Sequence, residues 1–224
     1  MRPAGWVAAG ATVLAAAVGG VAVAVADGPP KPAARAESTE SAGPTDGSAD
    51  AGFARDMAVH HQQAVEMSFV IRDRTDDMEI RRFAYDIANT QANQRGMMLG
   101  WLDLWGLSYA STDAPMAWMK QGDDGHGGHG GHAGHQAKEG ALMPGMATKA
   151  EMAQLAKANG EKAEILFLQL MTVHHEGGVT MAQGCVDQCS VAAQRKLAQG
   201  MVDGQESELK LMARLLKERG AKPR

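Results

Sequence analysis

The pair His60-His61 returns as His174-His175, and each pair carries Met three residues before its first histidine and seven after it. Met57 and Met67 flank the first copy, Met171 and Met181 the second. The offset, 174 minus 60, is 114 residues, and it also relates Gln91, Gln94 and Met98 to Gln205, Glu208 and Met212. A gap-free register held from Met57 to Met98 is an internal duplication. Such a repeat constrains architecture more than composition does, because each copy is one supersecondary unit that must bury its apolar face against the other.

Ala, Leu, Met, Gln and Glu fill both copies, which favours helix over strand. Asp50 is placed to cap a helix running from about Ala51 to Arg72, and Thr75 to cap a second. That second helix carries Ile80, Phe83, Ile87, Met98, Trp101 and Leu102 as an apolar stripe and stops near Gly106. Between Leu107 and Ala147 the periodicity gives way to Gly, Asp and His. Thr148-x-x-Glu151 reads as a capping box for a short helix broken at Asn159-Gly160. A long helix is expected from about Glu161 to Ala182, and Ser190 can cap a last one closed by Gly220, with Pro223 beyond. Each copy is therefore a helical hairpin, and the pair predicts an all-α four-helix bundle. Hairpin one covers 50–106, hairpin two 148–220, and a His/Met/Gly-rich linker over 107–147 is long enough to cross the bundle.

The start of the chain reads as a targeting segment. Arg2 precedes an uncharged Ala/Val/Gly run from Trp6 to Ala26, and Ala24-Val25-Ala26 offers a small-x-small cleavage site. Residues 1–26 are expected to be a cleaved signal peptide, favoured over retention of 6–26 as a membrane anchor because the Ala/Gly run is weakly hydrophobic. Residues 27–49, rich in Pro, Ala, Ser and Gly, read as a disordered tether. Either way the bundle would lie outside the cytoplasm, secreted or anchored. A lipid-anchored cysteine is excluded, because Cys185 and Cys189 are the only two. Their spacing of four, outside the cytoplasm, suggests a disulfide. A net charge of −4 gives no basic footprint for nucleic acid. A membrane is addressed only through the N-terminal segment, and a homo-oligomer is left open.

The duplicated stripe is made of soft ligands. At about 3.6 residues per turn, Met57, His60 and Met67 share one helix face and His61 sits on its shoulder. Met171, His174, His175 and Met181 repeat the pattern. Imidazole suits copper, zinc, iron and nickel, whereas thioether selects soft ions, above all Cu(I). Two Glu-x-x-His motifs would mark a di-iron bundle, and neither His pair carries one. In the linker, His126, His129, His132 and His135 recur every third residue among Gly and Ala. Met116 and Met119 precede them, and Met143 and Met146 follow. Such tracts read as exchangeable metal-binding segments. The competing readings are core packing for the Met stripe and plain solvation for the linker.

Phe53 to Met67, the stretch 167–182 with its Met-Thr-Val-His-His-Glu-Gly-Gly-Val-Thr-Met, and Met143-Pro-Gly-Met146 resemble the family called domain of unknown function 305. The resemblance covers about Asp50 to Lys217. It implies an exported, ferritin-like four-helix protein, with copper binding in some relatives and no established reaction. By position it marks Met57, His60, His61, Met67, Met171, His174, His175 and Met181 as the metal residues. Copy one departs with Gln62-Gln63 after its His pair, and Thr180 stands where Glu66 stands in copy one. The expected function is extracytoplasmic binding of copper, Cu(I) in preference to zinc or another transition metal, for sequestration or tolerance. Metal ions are the expected partners, and no enzymatic reaction is indicated. A ferritin-like metal-dependent oxidoreductase and a helical interaction module without metal are the alternatives.

Overall fold

The computed structural model describes residues 43–122 and 137–224. The signal segment, most of the tether and the four linker histidines at 126, 129, 132 and 135 lie outside the described residues. Five α-helices are present among the described residues, and no strand. They are α1 (Ala49–Arg72), α2 (Met78–Leu104), α3 (Lys149–Lys157), α4 (Glu161–Gln188) and α5 (Ala192–Glu218), with a 3-10 segment at Ala117–Gly122. The hairpins α1–α2 and α4–α5 join chiefly through α1 against α4, which makes a four-helix bundle with α3 packed on its side.

The apolar core comes in two halves. Met57, Met98 and Met181 lie in one, with Phe53, Leu102 and Cys185. Met67, Met171 and Met212 lie in the other, with Ile71, Phe83 and Phe167. The start of α1 thus packs with the end of α4, so these helices run antiparallel. Under the 114-residue offset the first methionine trio maps onto the second. The duplication is therefore a pseudo-two-fold of the folded bundle.

Three expected helix caps differ from those observed. Ser48, not Asp50, caps α1, its Oγ accepting from the Ala51 N–H at 3.2 Å. Asp50 is buried and reaches across the bundle to the start of α5. Its carboxylate accepts from the Ser190 and Val191 N–H groups, each at 2.9 Å, and from the Ser190 hydroxyl at 2.8 Å. Val191 holds the N-cap position of α5 with no side-chain hydrogen bond of its own. Asp50 thus satisfies helix-end donors that Ser190 was expected to serve.

At the other end, Asp77 caps α2 through Glu79 and Ile80 N–H. Thr75, expected there, instead donates its hydroxyl to Glu164, whose other oxygen accepts from Arg219 at 2.7 Å. Arg219 also reaches Asp77 at 3.0 Å. These side chains link the starts of α2 and α4 to the end of α5. A neutral cap residue near a helix start is free to serve a tertiary partner when a second acceptor stands close by.

The Thr148–Glu151 capping box is present, with N–H to oxygen distances of 3.2 and 2.8 Å. Gly106 and Gly220 both have positive φ. Each closes its helix with the paired bonds of a Schellman motif, Leu107 N–H to Leu102 and Ala221 N–H to Leu216, both 2.9 Å. Helix α4 runs beyond Ala182 to Gln188, and its C-cap Cys189 is disulfide-bonded to Cys185.

The linker ends are packed, where the sequence suggested a loose segment. Trp118, Met143 and Met146 are buried in the half of the core that holds Met57. The indole N–H of Trp118 donates to Asp56 at 2.9 Å, and its ring meets Phe53 edge-on. Burial raises the carboxyl pKa of Asp56, against the lowering effect of bonds from Met116 and Trp118.

Candidate metal centre

Between the two apolar halves lies a polar layer made of equivalent residues from both copies. His60, His61, His174 and His175 are each fully buried, and Gln91 and Gln205 nearly so. The helical period explains the layer. His60 and His174 face the pseudo-two-fold, where their rings lie with centroids 3.7 Å apart and planes tilted by 33°. His61 and His175 turn toward the second helix of their own hairpin. The His61 Nε2 lies 2.8 Å from Gln94 Oε1, and the His175 Nε2 lies 2.6 Å from Glu208 Oε2. The two contacts are the same interaction under the repeat, with an amide in one copy and a carboxylate in the other.

The ring tautomers follow from these partners. Carbonyl and carboxylate oxygens only accept, so Nε2 of His61 and of His175 is the donor. The Nε2 of His174 likewise donates to the His60 carbonyl at 3.1 Å. In each of these rings Nδ1 has no partner, and both nitrogens of His60 are unpartnered. Among the described residues, eleven buried side-chain polar atoms lack a hydrogen bond. Five are these imidazole nitrogens, and two more are the Gln91 and Gln205 oxygens of the same layer. Buried polar groups left without partners cost about 1–3 kcal/mol each. The end networks around Asp50 and Glu164 leave few such groups, so the deficit is concentrated in the middle.

Electrostatics keep three of the rings, His60, His61 and His174, neutral. Desolvation pushes the His60 pKa well below its ordinary value, helped by repulsion from His61 and His175. Burial does the same to His174, with repulsion from His60, His175 and His61 outweighing its bond to the His60 carbonyl. His61 falls to about 4, again chiefly by desolvation. Neutral imidazoles whose N–H is held by an acceptor are oriented as metal-ligating histidines are. The thioethers of Met57, Met67, Met171 and Met181 are buried in the apolar halves on either side. Among the described residues, no three His, Cys, Asp or Glu side chains are grouped to hold one ion. An ion here would therefore combine imidazole with thioether. This fits a soft cation, for which sulfur is a good ligand.

If the layer is kept for ligation, removing its worst polar deficit should stabilise the protein. His60→Leu is expected to raise unfolding free energy by about 1–2 kcal/mol, read by urea denaturation of the metal-free protein. A loss of stability would make His60 a packing residue instead.

Sequence reasoning did not foresee how the layer is fenced. Gly177 and Gly178 follow the second His pair, where a side chain would meet backbone at Gly177 and would displace the Gln205 amide at Gly178. A Cβ on Gly177 would stand 2.5 Å from the Pro144 carbonyl, and one on Gly178 would stand 2.4 Å from Gln205 Oε1. In copy one, Gln63 occupies the position of Gly177, and its amide pairs with both the N–H and the carbonyl of Ala147. Both copies thus grip the linker segment 143–147, one by space and one by hydrogen bonds. Glu66 is exposed and Thr180 half-exposed. Their exchange therefore changes the outer face and leaves the layer's donors as they are.

A family model and two solved structures point to one family. A search of curated proteins returns no match. Among solved structures, a DUF305 secreted-protein candidate from Streptomyces coelicolor is 59% identical, with a TM-score of 0.70. The match covers 80% of this chain and 99% of that one. A DUF305 fragment from Deinococcus radiodurans is 27% identical with a TM-score of 0.59, covering 76% and 96% of the two chains. The fold also matches CopM, solved in a Cu(II)-bound form, at 22% identity and a TM-score of 0.54, covering 76% and 97%. The model of the domain of unknown function DUF305 matches residues 50–216, and the chain belongs to that family.

Proposed function

We propose that this protein holds soft metal ions, copper foremost, in the buried His/Met layer, and that it sequesters the ion as cargo without turning over a substrate. The observation that carries the reading is the set of five partnerless imidazole nitrogens on four fully buried rings. Such a layer is costly when empty and is relieved by a cation that accepts the lone pairs of those nitrogens that carry no proton. Cu(I) is the preferred cargo, since the neighbouring ligands are thioethers and the layer brings one carboxylate, Glu208. Met57, His60, His61 and Met67 would serve from hairpin one, and Met171, His174, His175 and Met181 from hairpin two. Support comes from CopM, which shares the fold and has been solved with Cu(I), Cu(II) and Ag bound. The tract His126, His129, His132 and His135 would supply further, exchangeable imidazoles. Action outside the cytoplasm is supported by the Streptomyces coelicolor relative, a secreted-protein candidate. Among the described residues no helix is long and apolar enough to cross a membrane.

The test is an anaerobic Cu(I) titration against a competing chelator, on the chain with its four tract histidines changed to Ser. Tight binding is expected to persist there and to be lost when His60, His61, His174 and His175 are all changed to Leu, with folding checked by circular dichroism. Binding that disappears with the tract histidines alone would remove the bundle from the function.

A further inference from the structure

The pseudo-two-fold is broken at one chemically decisive place. His61 hands its Nε2–H to the neutral amide of Gln94, whereas His175 hands its own to the carboxylate of Glu208. The residue types of the layer otherwise repeat, as four fully buried imidazoles, Gln91 and Gln205, and the methionine trios on either side. One further asymmetry is that His174 bonds the His60 carbonyl and His60 has no counterpart bond. We infer that the halves are sorted by ion charge, with the Glu208 half able to hold a divalent ion and the Gln94 half restricted to a monovalent one. This rests on the metal-binding reading above.

The reason is charge balance in a desolvated site. A divalent ion beside Glu208 leaves the same net charge as a monovalent ion beside Gln94. A divalent ion beside Gln94 would bury a further uncompensated charge, which is strongly unfavourable in low dielectric. The carboxylate also acts through the ring. An imidazole whose N–H is held by a carboxylate is the more basic donor at its other nitrogen. Glu208 is thus a positioning and selectivity residue for His175. At 27% side-chain exposure it also stands at the edge of the layer, where water still solvates part of its charge.

The exchange is testable in both directions, because each half shows the structure that the other would adopt. The probes are Cu(II) and, anaerobically, Cu(I), each competed against a chelator, on the full chain with tract histidines changed to Ser. Glu208→Gln, nearly isosteric and already accommodated at Gln94, is expected to weaken Cu(II) binding by about 10–100-fold while Cu(I) binding is retained. Gln94→Glu is expected to add a second Cu(II) equivalent per chain. A purely structural Glu208 would move both ions together and leave Gln94→Glu without gain, and that result would overturn the inference. Unchanged Cu(II) affinity in Glu208→Gln, with binding still lost in the four-histidine variant, would also overturn it and leave the metal-binding reading intact. A parent chain that takes up neither ion would sink both.

Discussion

Acidifying the metal-free protein from pH 7 to pH 4 is expected to remove at least about 3 kcal/mol of folding stability through the histidine layer. His61 titrates in the unfolded chain near 6.5 and in the folded protein at about 4, because burial penalises its charged form. Between those values the unfolded state binds the proton and the native state does not. Stability is therefore full above pH 6.5 and falls as the pH drops toward 4. That one residue accounts for about 3 kcal/mol, and His60 and His174, both driven well below their ordinary value, act in the same direction. Urea midpoints measured between pH 7 and pH 4 should fall steadily for the parent. They should fall less for His61→Leu, which removes one of the titrating groups. A midpoint that stays level down to pH 5 would mean that water reaches the layer and that the rings are not desolvated. If copper is the cargo, loading the protein should flatten the profile, since the ion competes with protons for the same lone pairs.

The repeat makes the layer legible in the sequence, and local rules blur its surroundings. The offset of 114 residues relates His60 to His174, and those two rings meet at the pseudo-two-fold axis. The same register paired Gln94 with Glu208, and these turned out to be the acceptors for His61 and His175. The all-α bundle followed from the period of the apolar residues, with Ile80, Phe83, Ile87, Met98 and Leu102 all buried. Caps were read less well. Asp50, Thr75 and Ser190 each stand within two residues of the observed N-cap, and each is bonded across the fold. A capping rule sees only the neighbours in sequence, so it cannot tell a cap from a buried acceptor that another helix needs. The linker failed for a related reason. Its glycine-rich composition hid short anchored stretches at both ends, where Trp118, Met143 and Met146 are buried. The signals were present as an isolated Trp and as two methionines around Pro144-Gly145, but neither has a period to detect.

That anchoring gives the second large effect, at Gly177. The segment Pro144-Gly145 lies directly on α4, backbone against backbone. A Cβ on Gly177 would stand 2.5 Å from the Pro144 carbonyl oxygen and 2.9 Å from Gly145 Cα. Relief by a side-chain rotation is not available there, since the obstructing atoms are main chain. Gly145 cannot yield by changing shape either. Its φ of +82° is a glycine conformation, and its own added Cβ would stand 2.8 Å from the Val173 carbonyl. Gly177→Ala must therefore lift the 143–147 segment off the helix and draw Met143 and Met146 out of the core half they share with Met57, Met98 and Met181. Overpacking and the lost burial together are expected to cost about 3 kcal/mol in urea denaturation, after allowing for the better helix propensity of Ala. Gly200 and Gly204 supply the internal control. Both are exposed on α5 with nothing within 4 Å of an added Cβ, so the same substitution there should stabilise by about 0.5–1 kcal/mol. Opposite signs for one chemical change would separate steric exclusion at Gly177 from backbone entropy. A Gly177→Ala protein as stable as Gly200→Ala would show that the Met143-Pro-Gly-Met146 segment does not rest on α4. The glycine pair after the second His pair would then need another explanation.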